Sequence, residues 1–192
     1  MLGIISCGGS SGFTPARDNV GPGPAGAGAL VQTGVFLDSA VEGMTYKSAH
    51  LEGTTDVTGK FEYFTGRTVS FYIGDILIGE TSGTSTIVPV DLVPGATDET
   101  NPTVTNIARF LQTLDDDDIP TNGIKITSTV ATLAEGKTIN FSQTEEAFAL
   151  DGNVQIIVSE LTAATVSGAR SLVSSSAAQA HLAATLASLD NP

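Results

Sequence analysis

Few side chains in this sequence have a claim to chemistry. Four consecutive carboxylates, Asp115–Asp118, stand at the end of an apolar-periodic run. At a helix carboxyl end they face the negative pole of the helix dipole as well as one another, so water and salt or a bound cation must offset the repulsion. His50 and His181 are the two side chains that titrate near neutral pH. No spacing ties either to a nucleophile or a carboxylate, and both read as surface or interfacial histidines. Glu145 and Glu146 are neighbours that point different ways on a helix, which suits dipole complementation better than paired acid–base work. Gly8-Gly9-Ser10-Ser11-Gly12 has the string of a nucleophile elbow, but no strand precedes it and no helix pattern follows. Gly21, Gly23 and Gly26 have dinucleotide spacing, yet Pro22 and Pro24 remove the helix end that would cradle a phosphate. Helical HExxH and Walker strings are absent from the sequence. No enzyme is expected.

Composition narrows the partners. The chain has 192 residues, enough for one good core, and its hydrophobic content of 41% is that of a folded protein. Net charge is −13, and the eight bases are scattered singly, so the concentrated positive field that nucleic acid or anionic lipid headgroups require is missing. Tryptophan is absent and aromatics make up 6%, which weakens any case for a stacking platform. A single cysteine, Cys7, excludes an intramolecular disulfide framework and a cysteine-cluster zinc site. Apolar runs fall short of the ~18 residues a membrane helix needs.

Three regions follow. Residues 1–29 are rich in glycine, proline and serine with little to bury, a flexible tether. Residues 30–94 alternate as strands. Val31–Leu37 is the first, with Val35 and Leu37 on one face; Val41–Tyr46 follows. Asp56 and Gly59 bracket a type I turn that would join Thr54-Thr55 to Lys60–Tyr63 in a hairpin. Val69, Phe71 and Ile73 share a face opposite Ser70 and Tyr72, and Gly74-Asp75 supplies a two-residue type II′ turn before Ile76–Ile78. Ile87–Val93, carrying Pro89, is an edge strand or irregular crossing.

Residues 95–192 are mostly helical. Gly95–Pro102 is a loop, and Thr103–Leu114 an amphipathic helix with Val104, Ile107, Ala108, Leu111 and Leu114. Ile124–Thr127 is a short strand, and a brief helix ends at Gly136. Thr138–Phe141 is extended. Capping boxes at Ser142–Glu145 and Ser176–Gln179 open two further helices, the second with Leu182, Leu186 and Leu189 on one side. Val154–Leu161 fits both periods and is read as helix. The fold class is α+β: an N-terminal antiparallel β-sandwich with a small C-terminal helical part.

Two phrases carry resemblances. Ile4-Ile5-Ser6-Cys7 ahead of a Gly/Ser-rich stretch resembles a bacterial lipobox, which implies lipidation of Cys7 with the leader's basic and apolar parts upstream of Met1; the alternative is an ordinary thiol near a frayed end. The stretch from Gly34 to about Glu80, above all Thr54–Tyr63 (TTDVTGKFEY), resembles small immunoglobulin-like or transthyretin-like modules of the carboxypeptidase-regulatory type. It is also similar to a recurrent domain of proteobacterial surface lipoproteins. In such a module Val35, Leu37, Phe61, Tyr63, Val69, Phe71, Ile73, Ile76 and Ile78 would pack between two sheets. The phrase VTNIARFLQTLDDDDIPTNGIKI resembles the same lipoproteins, whose Asp-rich loop suits calcium. On that resemblance Asp115, Asp117 and Asn122 are the candidate ligands, with a solvated acidic loop as the alternative; Asp118 takes a place where glycine would ease the turn. The implied role is a non-catalytic, extracytoplasmic module held to the outer membrane by a lipid and serving adhesion, assembly or ligand holding. A fibre subunit is the alternative, in which Ala27–Leu37 adds a strand to a neighbour's exposed edge.

Overall fold

The computed structural model describes residues 30–190. Cys7 and the rest of the tether expected over residues 1–29 lie outside the described residues.

The fold is α+β, with nine strands among the described residues, β1 (Val31–Phe36), β2 (Val41–Glu42), β3 (Thr45–Ser48), β4 (Leu51–Thr54), β5 (Lys60–Phe64), β6 (Thr68–Ile73), β7 (Ile76–Ser82), β8 (Thr86–Ile87) and β9 (Ile124–Lys125). Five α-helices are described, α1 (Pro102–Thr113), α2 (Ser128–Leu133), α3 (Glu145–Leu150), α4 (Gly152–Thr162) and α5 (Ser175–Asp190). One sheet is antiparallel, ordered β4-β3-β6-β7; a second is mixed, β5-β1-β8; β2 and β9 form a parallel pair. The expectation of a purely antiparallel sandwich is corrected here, because β1 pairs parallel with β8 and β2 parallel with β9.

Alternation works on β6, whose hairpin partner β7 follows it directly. Val69, Phe71 and Ile73 are buried on β6, and Ile73 pairs with Ile76 across Gly74-Asp75. Gly74 has φ 56° and Asp75 does not enter the positive region, the pattern of a type II′ turn. A Cβ on Gly74 would collide with the backbone of Ala131 and Ala134, since the hairpin tip docks on the end of α2. There the Asp75 carboxylate accepts from the Gly136 N–H at 2.7 Å.

Parity fails on β1. Phe36 is fully buried, whereas Val35 and Leu37 are only half-buried, so the expected inward pair is off by one residue. Long-range pairing with β5 set that choice, since a one-residue slip exchanges the faces of a whole strand. The turn over Asp56–Gly59 forms as expected, with the Gly59 N–H donating to the Asp56 carbonyl at 2.8 Å. It does not close a hairpin. β4 goes to β3, and β5 to β1, so the turn carries the chain from one sheet to the other. The sheets meet through aromatic rings: Phe36–Phe71 centroids are 4.8 Å apart and Phe61–Phe71 5.1 Å, both edge-on.

The expected Val41–Tyr46 strand is broken at Gly43, whose φ of 91° and close approach to the Ile126 carbonyl no other residue tolerates. Ile87–Val93 is an irregular crossing: β8 is two residues long and Pro89–Leu92 coil into a 3₁₀ turn. Thr138–Phe141 joins no named strand.

The boundary expected at residues 94/95 is crossed by one core. Side chains from β1, β3, β5, β6 and β7 are continuous with Ile107, Phe110 and Leu111 of α1 and with Phe148, Val154 and Leu161 of α3 and α4. At its centre α1 is capped by Asn101, whose Oδ1 accepts from Thr103 N–H, with Pro102 at the first helical position. Every residue from Val104 to Thr113 is buried. An amphipathic helix with a wet face was expected; instead coil, the start of α3 and α5 cover the polar face. Asn106 Nδ2 donates to the carbonyls of Phe141 and Gln143, and Arg109 to those of Val173 and Glu145. A second seam, Val104 and Ala108 against Ala178 and Leu182, seats α5. Leu186 is half-buried and Leu189 39% exposed, so the leucine stripe expected on α5 reaches the core at one end.

Two caps moved. Thr144, not Ser142, caps α3, its hydroxyl accepting from Ala147 N–H. Ser174, not Ser176, accepts from Ala177 N–H at the start of α5. Gln179 is thereby released to bridge Thr105 Oγ1 and Glu145 Oε1 at 3.0 and 3.2 Å. Val154–Leu161 is helical, as read.

Candidate functional site

Chemistry-bearing groups gather at two places around the carboxyl-terminal half of α1. The first is the acidic loop. Here Asp115, Asp117 and Asn122 do come together, but N–H groups hold their oxygens. Asp115 is 1% exposed and accepts from Lys125 N–H (2.9 Å) and Ile119 N–H (2.8 Å). Asp117 accepts from Ile119 N–H (3.0 Å) and from Asn122 Nδ2 (2.9 Å). Asp116 accepts from Val166 N–H and lies 3.6 Å from Lys125 Nζ. Asp118 has φ 62°, the left-handed turn for which glycine would be easier, and Arg170 Nε lies 3.3 Å from its carboxylate.

Arg170 then staples the end of α1, donating to the carbonyls of Thr113 and Asp115. Orphan helix-terminal carbonyls and the carboxylates that follow thus share one guanidinium. Burial pushes the Asp115 carboxyl up, against the pull of two backbone N–H groups; the Asn122 amide holds Asp117 below the usual range. Among the described residues no group of three or more His, Cys, Asp or Glu side chains is disposed to hold a metal ion.

The second place was not anticipated. Asp38-Ser39, at the turn after β1, lies against His181 and Thr185 of α5 and Gln112 of α1. The Asp38 side chain is fully buried; Oδ2 accepts from Gln112 Nε2 at 3.0 Å, and Oδ1 has no hydrogen-bond partner among the described residues. Burial raises its pKa to about 7, opposed by the Gln112 hydrogen bond. Ser39 has φ 57°, and its N–H donates to Thr185 Oγ1 at 3.2 Å. His181 Nε2 lies 3.1 Å from Ser39 Oγ, 3.3 Å from the Asp38 carbonyl and 3.8 Å from Asp38 Oδ1.

A histidine, a hydroxyl and an acid therefore meet, but all on one ring nitrogen. A nucleophilic relay needs the hydroxyl on one nitrogen and the orienting acid on the other. With Nε2 facing both, His181 cannot take a proton from Ser39 while Asp38 steers it. His50 stands elsewhere, its ring 4.6 Å from that of Phe64. The signal for Asp38 in the sequence was slight: one acid at a strand end, with its partners far along the chain.

Two pockets are relevant. A groove of about 870 Å³ runs between β3–β4 and α2, lined by Glu42, Lys47, Glu52, Asp75, Lys125 and Ser128 among others. Both of its lysines are ion-paired, Lys47 with Glu52 at 3.1 Å and Lys125 with Asp116. A smaller pocket lies between α4 and the segment Ala169–Leu172. Neither is lined by Asp38, Ser39 or His181.

No protein-family model matches the chain, and neither the curated proteins nor the solved structures contain a match to it.

Proposed function

We propose that the chain is a non-catalytic module, lipid-anchored through Cys7 at a bacterial cell surface, serving adhesion, assembly or ligand holding. The observation that carries the non-catalytic reading is the sharing of His181 Nε2 by Ser39 and Asp38. That arrangement suits a seam tying α5 to the strand layer better than a proton relay. Anchoring is supported by Ile4-Ile5-Ser6-Cys7 and the Gly/Pro-rich residues after it. An immunoglobulin-like or transthyretin-like module is favoured by two sheets meeting through aromatic side chains, while the parallel β1–β8 pair departs from that pattern.

Labelling with a fluorophosphonate probe tests the first part: no label on Ser39 is expected, and a label lost in His181→Ala would reject the reading. Metabolic labelling with an alkyne palmitate tests the second. Label that disappears in Cys7→Ser is expected, and equal label in both chains would reject the anchor.

A second reading, the fibre subunit, is favoured by the place of β1. This strand, next to the tether, fills the slot between β5 and β8, and its first three residues are exposed. A neighbour's copy has the same shape and sequence for that slot. Strictly monomeric full-length protein in size-exclusion chromatography and negative-stain microscopy would reject it.

A further inference from the structure

We propose that the pocket between α4 and Ala169–Leu172 binds a small organic carboxylate, with the Arg109 guanidinium receiving the carboxylate group. This gives the ligand-holding part of the reading above a place and a chemistry, and it stands whether or not Cys7 carries a lipid.

Arg109 is 5% exposed and is one of the residues that line this pocket of about 560 Å³. Nε donates to the Val173 carbonyl at 2.8 Å and Nη1 to the Glu145 carbonyl at 3.0 Å. Nη2 has no hydrogen-bond partner among the described residues, yet it is not sealed from solvent. Four other bases sit within 4.0 Å of a carboxylate: Lys47, Lys125, Lys137 and Arg170. Arg109 forms no such pair among the described residues, although it is the most buried of the five. A buried guanidinium without an anion is costly, and neutral carbonyls compensate it in part. Burial accordingly pulls its pKa down, opposed by the charge of Glu145.

The rest of the lining selects the body of the ligand. Ala149, Val154, Val158 and Leu172 give an apolar wall, with the exposed Gln155 and Ser159 at the rim. Three of the five guanidinium N–H groups have no hydrogen-bond partner among the described residues, and a fixed cation of this kind beside apolar wall fits a monocarboxylate with a short hydrocarbon chain. Long-range attraction contributes nothing, because the net charge of −13 repels anions. Affinity must come from the desolvated contact at Arg109 and from apolar burial, so a neutral isostere should lose most of it.

The probes are hexanoate and hexanamide, titrated into the full chain by calorimetry. Hexanoate is expected to give saturable heat with a Kd below about 1 mM, and hexanamide to bind at least about tenfold more weakly. In Ser159→Glu, a substitution at an exposed helix position, a carboxylate at the rim should weaken hexanoate at least about tenfold without altering the melting temperature. Arg109→Gln should abolish the preference for hexanoate over hexanamide, with folding checked by circular dichroism. No saturable heat at about 10 mM hexanoate would overturn the site. Equal binding of hexanamide, or unchanged affinity in Ser159→Glu, would overturn the assignment to Arg109. None of these results bears on the palmitate labelling of Cys7.

Discussion

Asp38 and Asp115 lie on either side of the same helix end, and both are almost completely buried. Burial pushes both carboxyls up. They differ in their donors. Asp115 sits in a loop that folds two backbone N–H groups onto its two oxygens, whereas Asp38 has one side-chain amide and an oxygen with no partner. Desolvation alone therefore does not decide whether a buried acid organises a fold or burdens it; the number of N–H groups aimed at it does. The acidic loop, which looks repulsive in one dimension, is the better satisfied of the two.

That contrast can be broken in four ways. The largest effect is expected at Asp115. Asp115→Ala leaves the Lys125 N–H without its acceptor and weakens the hold on Ile119, at a cost of about 3 kcal/mol in urea unfolding at neutral pH. A loss below about 1 kcal/mol would mean that solvent replaces the carboxylate.

Asp38 should behave in the opposite sense. Its folded pKa of about 7 lies above the ordinary value of 3.8, so its contribution is fully present below the lower value and lost as pH rises through the upper. Wild-type stability should fall between those limits. Asp38→Asn should remove the slope and stabilise the protein at alkaline pH, with little change near the lower limit. Paired unfolding curves at the two pH values check it; parallel pH profiles would show that Asp38 ionises freely.

Gln112→Met removes the one donor to Asp38 and should move the midpoint of that pH dependence upward. It should also cost about 1–2 kcal/mol, because Gln112 donates to the Ala178 carbonyl as well. The smallest effect is expected at Asp117, which is exposed. Asp117→Ala should lower the melting temperature by about 2 °C. Millimolar calcium should leave the wild type within the same range, since the loop's oxygens already accept N–H groups. A calcium-induced rise of more than about 5 °C that Asp117→Ala cancels would establish the alternative reading of the loop as a metal site.

How much of this was legible can be seen residue by residue. The β6–β7 hairpin and the Asp56–Gly59 turn follow from local chemistry: alternation, a glycine for a positive φ, an Asx side chain folded over its own backbone. The N-terminus of α1 was legible as well, although Asn101-Pro102 places it one residue earlier than apolar spacing does. The acidic loop could be located but not interpreted, because Ile119, Asn122 and Lys125 are near in sequence while the groups that complete it, Val166 N–H and Arg170, come from 50 or more residues downstream. The cluster at Asp38 and the pocket at Arg109 gave almost no signal. Each is assembled from a single polar residue on one element and partners on others; Ser39 and His181 are 142 positions apart.

Sequence by itself determined the α+β class, which segments coil and which extend, and most of the apolar residues that fill the core, because side-chain periodicity and turn chemistry act over a few residues. Tertiary structure alone decided which face of β1 turns inward, that β4 and β5 part company after a well-formed turn, and that every face of α1 is covered. Those outcomes depend on which distant segment supplies the pairing partner or the hydrogen-bond acceptor, and the free energy of such contacts is not written in any local pattern.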